Sequence, residues 1–290
     1  MLMVGTAWYF WAMSREKYLH ITPHMSDEAG AMLGEFKMDE EDGTLVKALP
    51  EGFRSGPKKE IGVGIMLLPL EINTNQWLSG QVILKGDPPP ARPLLMDPEC
   101  SALAKKANPE LQPLTRDYVI GTEGGLADVV VALVKFEGEI AEQTHDPLSI
   151  TVEGCQLRPM VVACQPGQVL RIKNLDQELH ELRTGKASEK NDPTGEMLFP
   201  GGLPIELSYS TPEENIRLHM VGRLWIEAYA TVVDHPFFSV TDSNGVFRIP
   251  LPPQGTYQLK AFHRKLKPVV KVVSIERGTN AKLDFELLFE

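Results

Sequence analysis

Short apolar runs rich in β-branched and aromatic residues recur from residue 77 onwards, and this recurrence constrains the fold more than any other feature. The runs start about 8–12 residues apart, which is typical of strands in β-sandwiches rather than of βαβ units. Glycine and proline, 24 and 23 of the 290 residues, fall between the runs, where turns are expected. We therefore predict a mainly β chain built from sandwiches.

Individual segments support this prediction. Polar and apolar side chains alternate in "GQVLRIKNLD" (167–176), as in an antiparallel strand with one face in water. The dipeptide Asn244-Gly245 predicts a turn, because it takes positive φ at low cost. One segment, "PECSALAKKANPEL", predicts a helix that is opened by Pro98 and closed by Pro109.

Residues 1–13, "MLMVGTAWYFWAM", form an apolar segment followed by Arg15 and Lys17. A membrane-spanning helix needs ~20 residues, and the segment also lacks the basic start and small-residue end of a secretion signal. We predict a short apolar helix anchored at a membrane interface or in a partner subunit; docking on the chain's own body and a misread signal are the alternatives. If it spanned the bilayer, the two basic residues would keep the body in the cytoplasm. The anchoring side chains are Trp8, Tyr9, Phe10 and Trp11, which are residue types that favour the membrane–water boundary.

Residues 14–75 are predicted to form an extended arm with one or two short helices. Most of the arm is polar, with an acidic cluster at Asp39–Asp42 and little sustained periodicity. The apolar run at 61–72 is too short to span a bilayer and is interpreted as a buried strand or a segment lying along a partner. Such an arm gains stability by lying on another protein.

The net charge is −10 at pH 7, so the chain repels phosphate backbones, and we exclude nucleic acid as a partner. The most basic stretch, at 262–271, is interpreted as solvated strand ends.

The chain has three cysteines, Cys100, Cys155 and Cys164. None belongs to a C-x-x-C pair, so a structural zinc site is not expected. Their number alone leaves two states open: one disulfide with one buried thiol in an oxidising compartment, or three reduced core residues.

Five blocks follow one another from about Gly80 to the C-terminus: "GQVILKGDPPPARP", "GGLADVVVAL", "GCQLRPMVVACQPGQVLRIKNLDQELHELR", "WIEAYATVVDHPFFSVTDSNGVFRIP" and "PPQGTYQLKAFHRKL". In this order the chain resembles bacterial extracytoplasmic proteins with a plastocyanin-like (cupredoxin) domain of the methylamine-utilisation-like kind. Those proteins end in a small sandwich like the carboxypeptidase regulatory domain. The resemblance implies a cupredoxin-like β-sandwich at 76–235 and a small C-terminal β-sandwich at 236–290, behind the arm and the anchor.

The family's copper site is largely lost in this chain. A blue-copper site needs two imidazoles, a thiolate and a weak thioether, and the family supplies three of these from the pattern C-x-x-H-P-W-M. Aligned on Trp225, three of the ligands are replaced, and one of the replacements is a permanent cation. We therefore expect no metal and no other cofactor. The degenerate site positions are His180, which is retained, Met220 at the cysteine, Arg223 at the second histidine and Ile226 at the methionine.

The resemblance has three further implications. Another family histidine is replaced by Met160, and His219 is expected to point away from the site because successive strand residues alternate between faces. Family cysteines match Cys100 and Cys155, which implies a disulfide between them. Cys164 is left to pack as a small apolar residue.

The sequence contains no G-x-S-x-G, H-E-x-x-H, P-loop or dinucleotide motif, so we expect no enzyme. His235 and His263 are interpreted as packing residues. We expect a non-catalytic accessory subunit of a membrane-bound electron-transfer assembly (photosynthetic reaction-centre or respiratory), located in the periplasm, which uses a copper-free scaffold for protein–protein contacts. The alternatives are a cupredoxin electron carrier with an altered copper site, and an extracytoplasmic carbohydrate-binding module or enzyme accessory domain. The last alternative needs an exposed aromatic platform, for which the candidates are Tyr209, Phe237, Phe238 and Tyr257.

Overall fold

The computed structural model describes residues 36–38, 45–47, 76–110, 112–140, 145–185 and 190–289. The chain divides into two units, Met1–Met66 and Leu67–Glu290. In the first unit, β1 (Phe36–Met38) pairs antiparallel with β2 (Leu45–Lys47). The predicted anchor at 1–13 and most of the predicted arm lie outside the described residues. No helix in the described part of the chain is long and apolar enough to traverse a bilayer.

The described part of the second unit is mainly β, which confirms the predicted class. Its helix is α1 (Pro98–Ala107), and a short 3₁₀ turn covers Thr122–Gly124. Its strands are β3 (Trp77–Lys85), β4 (Val130–Leu133), β5 (Leu148–Val152), β6 (Leu157–Arg158), β7 (Val161–Cys164), β8 (Leu170–Asn174), β9 (His180–Thr184), β10 (Gly195–Leu198), β11 (Ile205–Leu207), β12 (Glu213–Met220), β13 (Arg223–Val232), β14 (Phe238–Val240), β15 (Val246–Pro250), β16 (Gly255–Phe262), β17 (Val269–Ile275), β18 (Ala281–Lys282) and β19 (Phe285–Leu288).

A first sandwich is made of two sheets, ordered β10-β9-β12-β13-β7 and β11-β8-β5-β6. Most neighbours are antiparallel, but β13 runs parallel to β7, and β5 runs parallel to β8. The predicted alternation in β8 is present, with buried and exposed residues in turn. Ile172 of β8 and Leu218 of β12 come from different sheets and are both fully buried in one core, because the apolar faces of the two sheets pack on each other.

A second sandwich joins the sheet β14-β4-β16-β17 to a sheet in which β3 pairs with β15, β18 and β19. Its core contains the fully buried rings of Phe237, Phe247 and Phe285. The turn predicted at Asn244-Gly245 precedes β15. Gly245 has φ +75° there, a conformation that favours glycine.

The sheets do not follow the predicted linear division at residue 235. That division places β3 and β4 in the first domain, whereas both are central strands of the second sandwich. The burial pattern of β3 explains this placement, because its inward side chains, including Leu78 and Val82, pack in the same core as Phe247 and Phe285. The strands from β5 to β13 are therefore an insertion between two strands of the second sandwich.

Candidate functional site

The retained and replaced copper positions lie at one end of the first sandwich. Pairing places His180 opposite Leu198 and Met220 opposite both Leu182 and Arg223, so the start of β9, the ends of β10 and β12 and the start of β13 meet there. The side chains of His180, Met220 and Ile226 are buried, with Met220 and Ile226 in the apolar core. The structure brings these predicted positions together in one region.

His180 is held by Asp176. Its Nε2 lies 3.1 Å from Asp176 Oδ2, and both side chains are buried. The same carboxylate accepts the backbone N–H groups of Gly154 at 2.6 Å and Cys155 at 2.9 Å. Burial raises the pKa of Asp176, but the hydrogen bonds from His180, Cys155 and Gly154 outweigh burial and leave this pKa below its usual value.

An ionised carboxylate only accepts hydrogen bonds, so Nε2 of His180 carries the proton and donates to Asp176. When the ring is neutral, Nδ1 presents a lone pair. This atom is buried and has no hydrogen-bond partner among the described residues. Nδ1 of His180 is therefore the atom of this region that could accept a hydrogen bond or bind a metal.

The structure joins Cys100 to Cys155 by a disulfide with a Cα–Cα distance of 5.4 Å, the pairing that the resemblance implies. It ties α1 to the tight turn between β5 and β6, in which Gly154 and Cys155 both have positive φ. Asp176 fixes this turn from the other side through its hydrogen bonds. Cys164 is a buried free thiol whose pKa is raised by burial to about 11.

Arg223, which the resemblance aligns with a copper-ligand histidine, forms an ion pair at the start of α1. Its Nε donates to Oδ2 of Asp97 at 2.8 Å. Oδ1 of Asp97 accepts the backbone N–H of Cys100 at 2.7 Å and so caps the helix. The hydrogen bond from Cys100, followed by Arg223, lowers the pKa of Asp97.

These residues do not fit a type 1 copper ion. Donor atoms of Cys155, Asp176 and His180 lie within 4.8 Å of one another, but the sulfur of Cys155 is bonded to Cys100 and is no thiolate. The site therefore offers one free imidazole nitrogen, from His180, and the thioether of Met220. The thiolate and the second imidazole that blue copper needs are missing from it. That the chain carries no cofactor stays a prediction.

No sequence pattern predicts the exposed apolar side chains at this same end of the first sandwich, which we call the apolar end. Its side chains lie in the loops that follow β8 and β10, in the β12–β13 hairpin and just before α1. Exposed apolar side chains that gather at one end of a domain are typical of contacts with proteins or membranes. The apolar end consists of Leu95 (91% exposed), Leu175 (42%), Leu179 (44%), Phe199 (60%), Leu203 (93%), Val221 (45%) and Leu224 (66%).

The four aromatic candidates for a carbohydrate platform are not an exposed cluster. Tyr209 and Phe237 are buried. Phe238 and Tyr257 are partly buried, and Tyr257 packs against the core of the second sandwich. His219 lies between Arg183 and Glu227 in the sheet, with a register shift towards β13 just after it. Burial still alternates along the end of β12, with Met220 buried and His219 partly exposed, so the two side chains point to opposite faces.

The other buried histidines have structural surroundings. His235 Nδ1 accepts the N–H of Phe237 at 3.2 Å, so Nε2 carries the proton and donates to the carbonyl of Leu133 at 3.1 Å. His263 stacks on Tyr118 with ring centroids 5.6 Å apart. These contacts agree with the interpretation of both histidines as packing residues.

Comparison with solved structures finds cupredoxin folds at low scores. A copper-containing nitrite reductase from Thermus scotoductus SA-01 is 14% identical over 36% of this chain and 25% of its own, with a TM-score of 0.28. The chain thus spans about a quarter of that enzyme. A Cu(I)-form variant of amicyanin is 9% identical over 32% of this chain and 87% of its own, with a TM-score of 0.28. A purple cupredoxin from Nitrosopumilus maritimus is 12% identical over 30% of this chain and 99% of its own, with a TM-score of 0.26.

No protein-family model and no curated protein matches the chain. The likeness to solved structures concerns the fold, and at these scores it carries no argument about activity.

Proposed function

We propose that this chain is a non-catalytic accessory subunit of a membrane-bound electron-transfer assembly, either a photosynthetic reaction-centre or a respiratory complex. It docks on its partner through the apolar end of the first sandwich. The observation that carries this proposal is that exposed apolar side chains from separate loops gather at that end.

The size of the exposed side chains supports a protein contact. Phe199 and Leu203 flank a turn closed by the hydrogen bond from Gly202 N to Phe199 O, so a compact loop holds both of them in solvent. Burying a side chain of this type contributes about 1.5–3 kcal/mol. A few such residues are enough for a stable contact when a partner supplies a matching surface.

The buried contacts at the same end of the first sandwich support a structural role in an assembly. Among the positions aligned with copper ligands, His180 pairs with Asp176 and Arg223 with Asp97, while Met220 and Ile226 pack in the apolar core. A disulfide is typical of extracytoplasmic compartments, which agrees with a periplasmic location. The apolar segment at 1–13 supplies membrane association in this proposal.

The proposal is tested by native purification from membranes in a mild detergent, followed by identification of the subunits that co-purify. The double variant Phe199→Ser/Leu203→Ser is expected to reduce the co-purifying fraction at least about tenfold, because two apolar contacts are lost. The matched control is Val270→Ser/Val272→Ser, which removes exposed apolar side chains (50% and 61%) from β17 of the second sandwich and leaves association unchanged.

Release of the wild-type chain as a free monomer by a salt wash would contradict the proposal. Deletion of residues 1–13 is expected to lose membrane association while the β-sandwiches stay folded. Stoichiometric copper with blue absorbance in the purified protein would favour the electron-carrier alternative instead.

A further inference from the structure

The Cys100–Cys155 disulfide lies against two other buried groups that have metal-ligand chemistry. Ligand atoms of Cys155, Asp176 and His180 lie within 4.8 Å of one another, and Cys100 is bonded to Cys155. In a tetrahedral zinc site, bonds of about 2.0–2.3 Å place neighbouring ligand atoms about 3.3–3.8 Å apart. The ligand atoms of Cys155, Asp176 and His180 therefore need side-chain shifts on the order of 1 Å to reach this spacing, and the sulfur of Cys100 must separate from that of Cys155 once their bond is broken.

We propose that reduction of this disulfide converts the cluster into a zinc site with four ligands: two thiolates, His180 and Asp176. In the oxidised protein neither sulfur is a thiolate, so the cluster is closed to metal. The proposed site shares only His180 with the blue-copper positions, and it uses none of Met220, Arg223 or Ile226.

The chemistry balances with a dithiol as reductant. A thiolate of the dithiol attacks one sulfur of the Cys100–Cys155 bond and forms a mixed disulfide, which the second thiol of the reductant resolves. Two electrons and two protons pass to the protein, giving two thiols, and the dithiol becomes a disulfide. Zinc then binds both sulfurs as thiolates and displaces their two protons to solvent.

The surroundings already orient the ligands. Backbone N–H groups of Gly154 and Cys155 hold the carboxylate of Asp176, in the way that outer hydrogen bonds fix metal ligands. His180 turns Nε2 towards Asp176, so zinc would bind Nε2 and the ring's proton would move to Nδ1, which has no other partner among the described residues.

The position of Cys100 in its helix also favours a thiolate. Cys100 lies in the first turn of the ten-residue helix α1, and its N–H is capped by Asp97. The positive end of the helix dipole stabilises a thiolate at such a position. Zinc and the disulfide are mutually exclusive in this scheme, so zinc protects the thiols and oxidation expels zinc.

The test uses the full chain, oxidised or reduced with a water-soluble phosphine, which converts the disulfide and one water into two thiols and a phosphine oxide. Each sample is equilibrated with buffered free zinc, and bound zinc is measured; cobalt(II) in a parallel sample reports thiolate bonds through its charge-transfer absorbance. We expect one zinc per reduced chain, cobalt–thiolate absorbance in the reduced sample, and neither in the oxidised sample.

The variants separate the folded site from thiols that bind alone. Cys164→Ser removes the buried cysteine outside the cluster and is expected to bind zinc as the wild type does. His180→Asn and Asp176→Asn are expected to weaken binding by roughly 10–100-fold, the size usual for loss of a supporting group or ligand.

Three results would overturn the proposal. They are equal zinc uptake by the oxidised protein, unchanged affinity in His180→Asn, and loss of the near-ultraviolet circular dichroism of the reduced protein in the presence of zinc. The second and third would mean that an unfolded dithiol segment binds the metal.

Discussion

His263 is a buried histidine whose neutral form the fold favours. Its Nδ1 accepts the N–H of Lys265 at 3.3 Å and its ring packs on Tyr118. Burial, with a smaller effect from Arg264, lowers its pKa to about 4. In the unfolded chain the pKa of this histidine is about 6.5. Between pH 6.5 and 4 the unfolded state therefore binds a proton on this ring and the folded state does not.

This difference predicts a loss of stability on acidification. Above pH 6.5 the ring is neutral in both states and contributes nothing to the pH dependence. As the pH falls from 6.5 to 4, the free energy of unfolding should decrease by up to about 3 kcal/mol. Urea unfolding at a series of pH values should show this slope in the wild type and a flatter one in His263→Gln. Parallel profiles for the two proteins would contradict the prediction.

Asp176 also loses its stabilising contribution on acidification, but at a lower pH than His263. Its folded pKa is lowered by its hydrogen bonds in spite of burial, so it stabilises the fold above its unfolded pKa of about 3.9. That stabilisation is lost as the pH falls through the lower folded value. Asp176→Asn should lower the free energy of unfolding at pH 7 by about 1–3 kcal/mol, because an amide that cannot replace all three acceptor contacts leaves buried N–H groups unpaired. The exposed Asp192→Asn serves as control and should change stability by under about 0.5 kcal/mol.

At the scale of elements, the side chain of Asp97 makes two different contacts at the start of α1. Asp97 caps the helix through Oδ1 and pairs with Arg223 through Oδ2. Asp97→Ala should therefore lower the free energy of unfolding by about 1–2 kcal/mol, the usual effect of losing a cap. Asp97→Asn retains a capping oxygen and loses the ion pair, which is partly exposed and contributes about 0–1 kcal/mol. If urea unfolding shows that Asp97→Asn lowers the free energy of unfolding as much as Asp97→Ala does, capping is not the larger of the two contributions and the prediction is wrong.

The elements that the sequence predicted are those with local signals. The alternation in β8, the Asn244-Gly245 turn and a helix beginning at Pro98 all depend on neighbouring residues. The helix ends at Ala107, two residues before the proline that was expected to close it. The Arg223–Asp97 pair joins positions 126 residues apart, and no local pattern indicates it.

The apolar end escaped prediction for the same reason. Its members come from separate loops and look like isolated apolar residues in the sequence, where single exposed apolar side chains are ordinary. Only the register of β9, β10, β12 and β13 brings these loops together.

At the scale of the whole molecule, the second sandwich is discontinuous in sequence. Leu133 N donates to Phe237 O at 3.1 Å, so the chain leaves this sandwich after β4 and returns to it beside the same strand. Between these points it builds the first sandwich. A division of the sequence into contiguous domains places β3 and β4 in the first domain. Their inward side chains instead pack in the same core as Phe247 and Phe285.

This architecture predicts how fragments behave. Residues 236–290 alone lack β3 and β4, which supply the centres of both sheets, so they should stay unfolded, with narrow amide-proton dispersion in NMR spectra. Residues 76–140 joined by a short linker to 236–290, with Cys100→Ser to avoid an unpaired thiol, retain every strand of the second sandwich and should give a dispersed spectrum. Short linkage is sterically feasible because β4 and β14 are antiparallel neighbours. A well-dispersed spectrum from 236–290 alone would show that β3 and β4 are dispensable, and the second sandwich would then be an independent C-terminal domain.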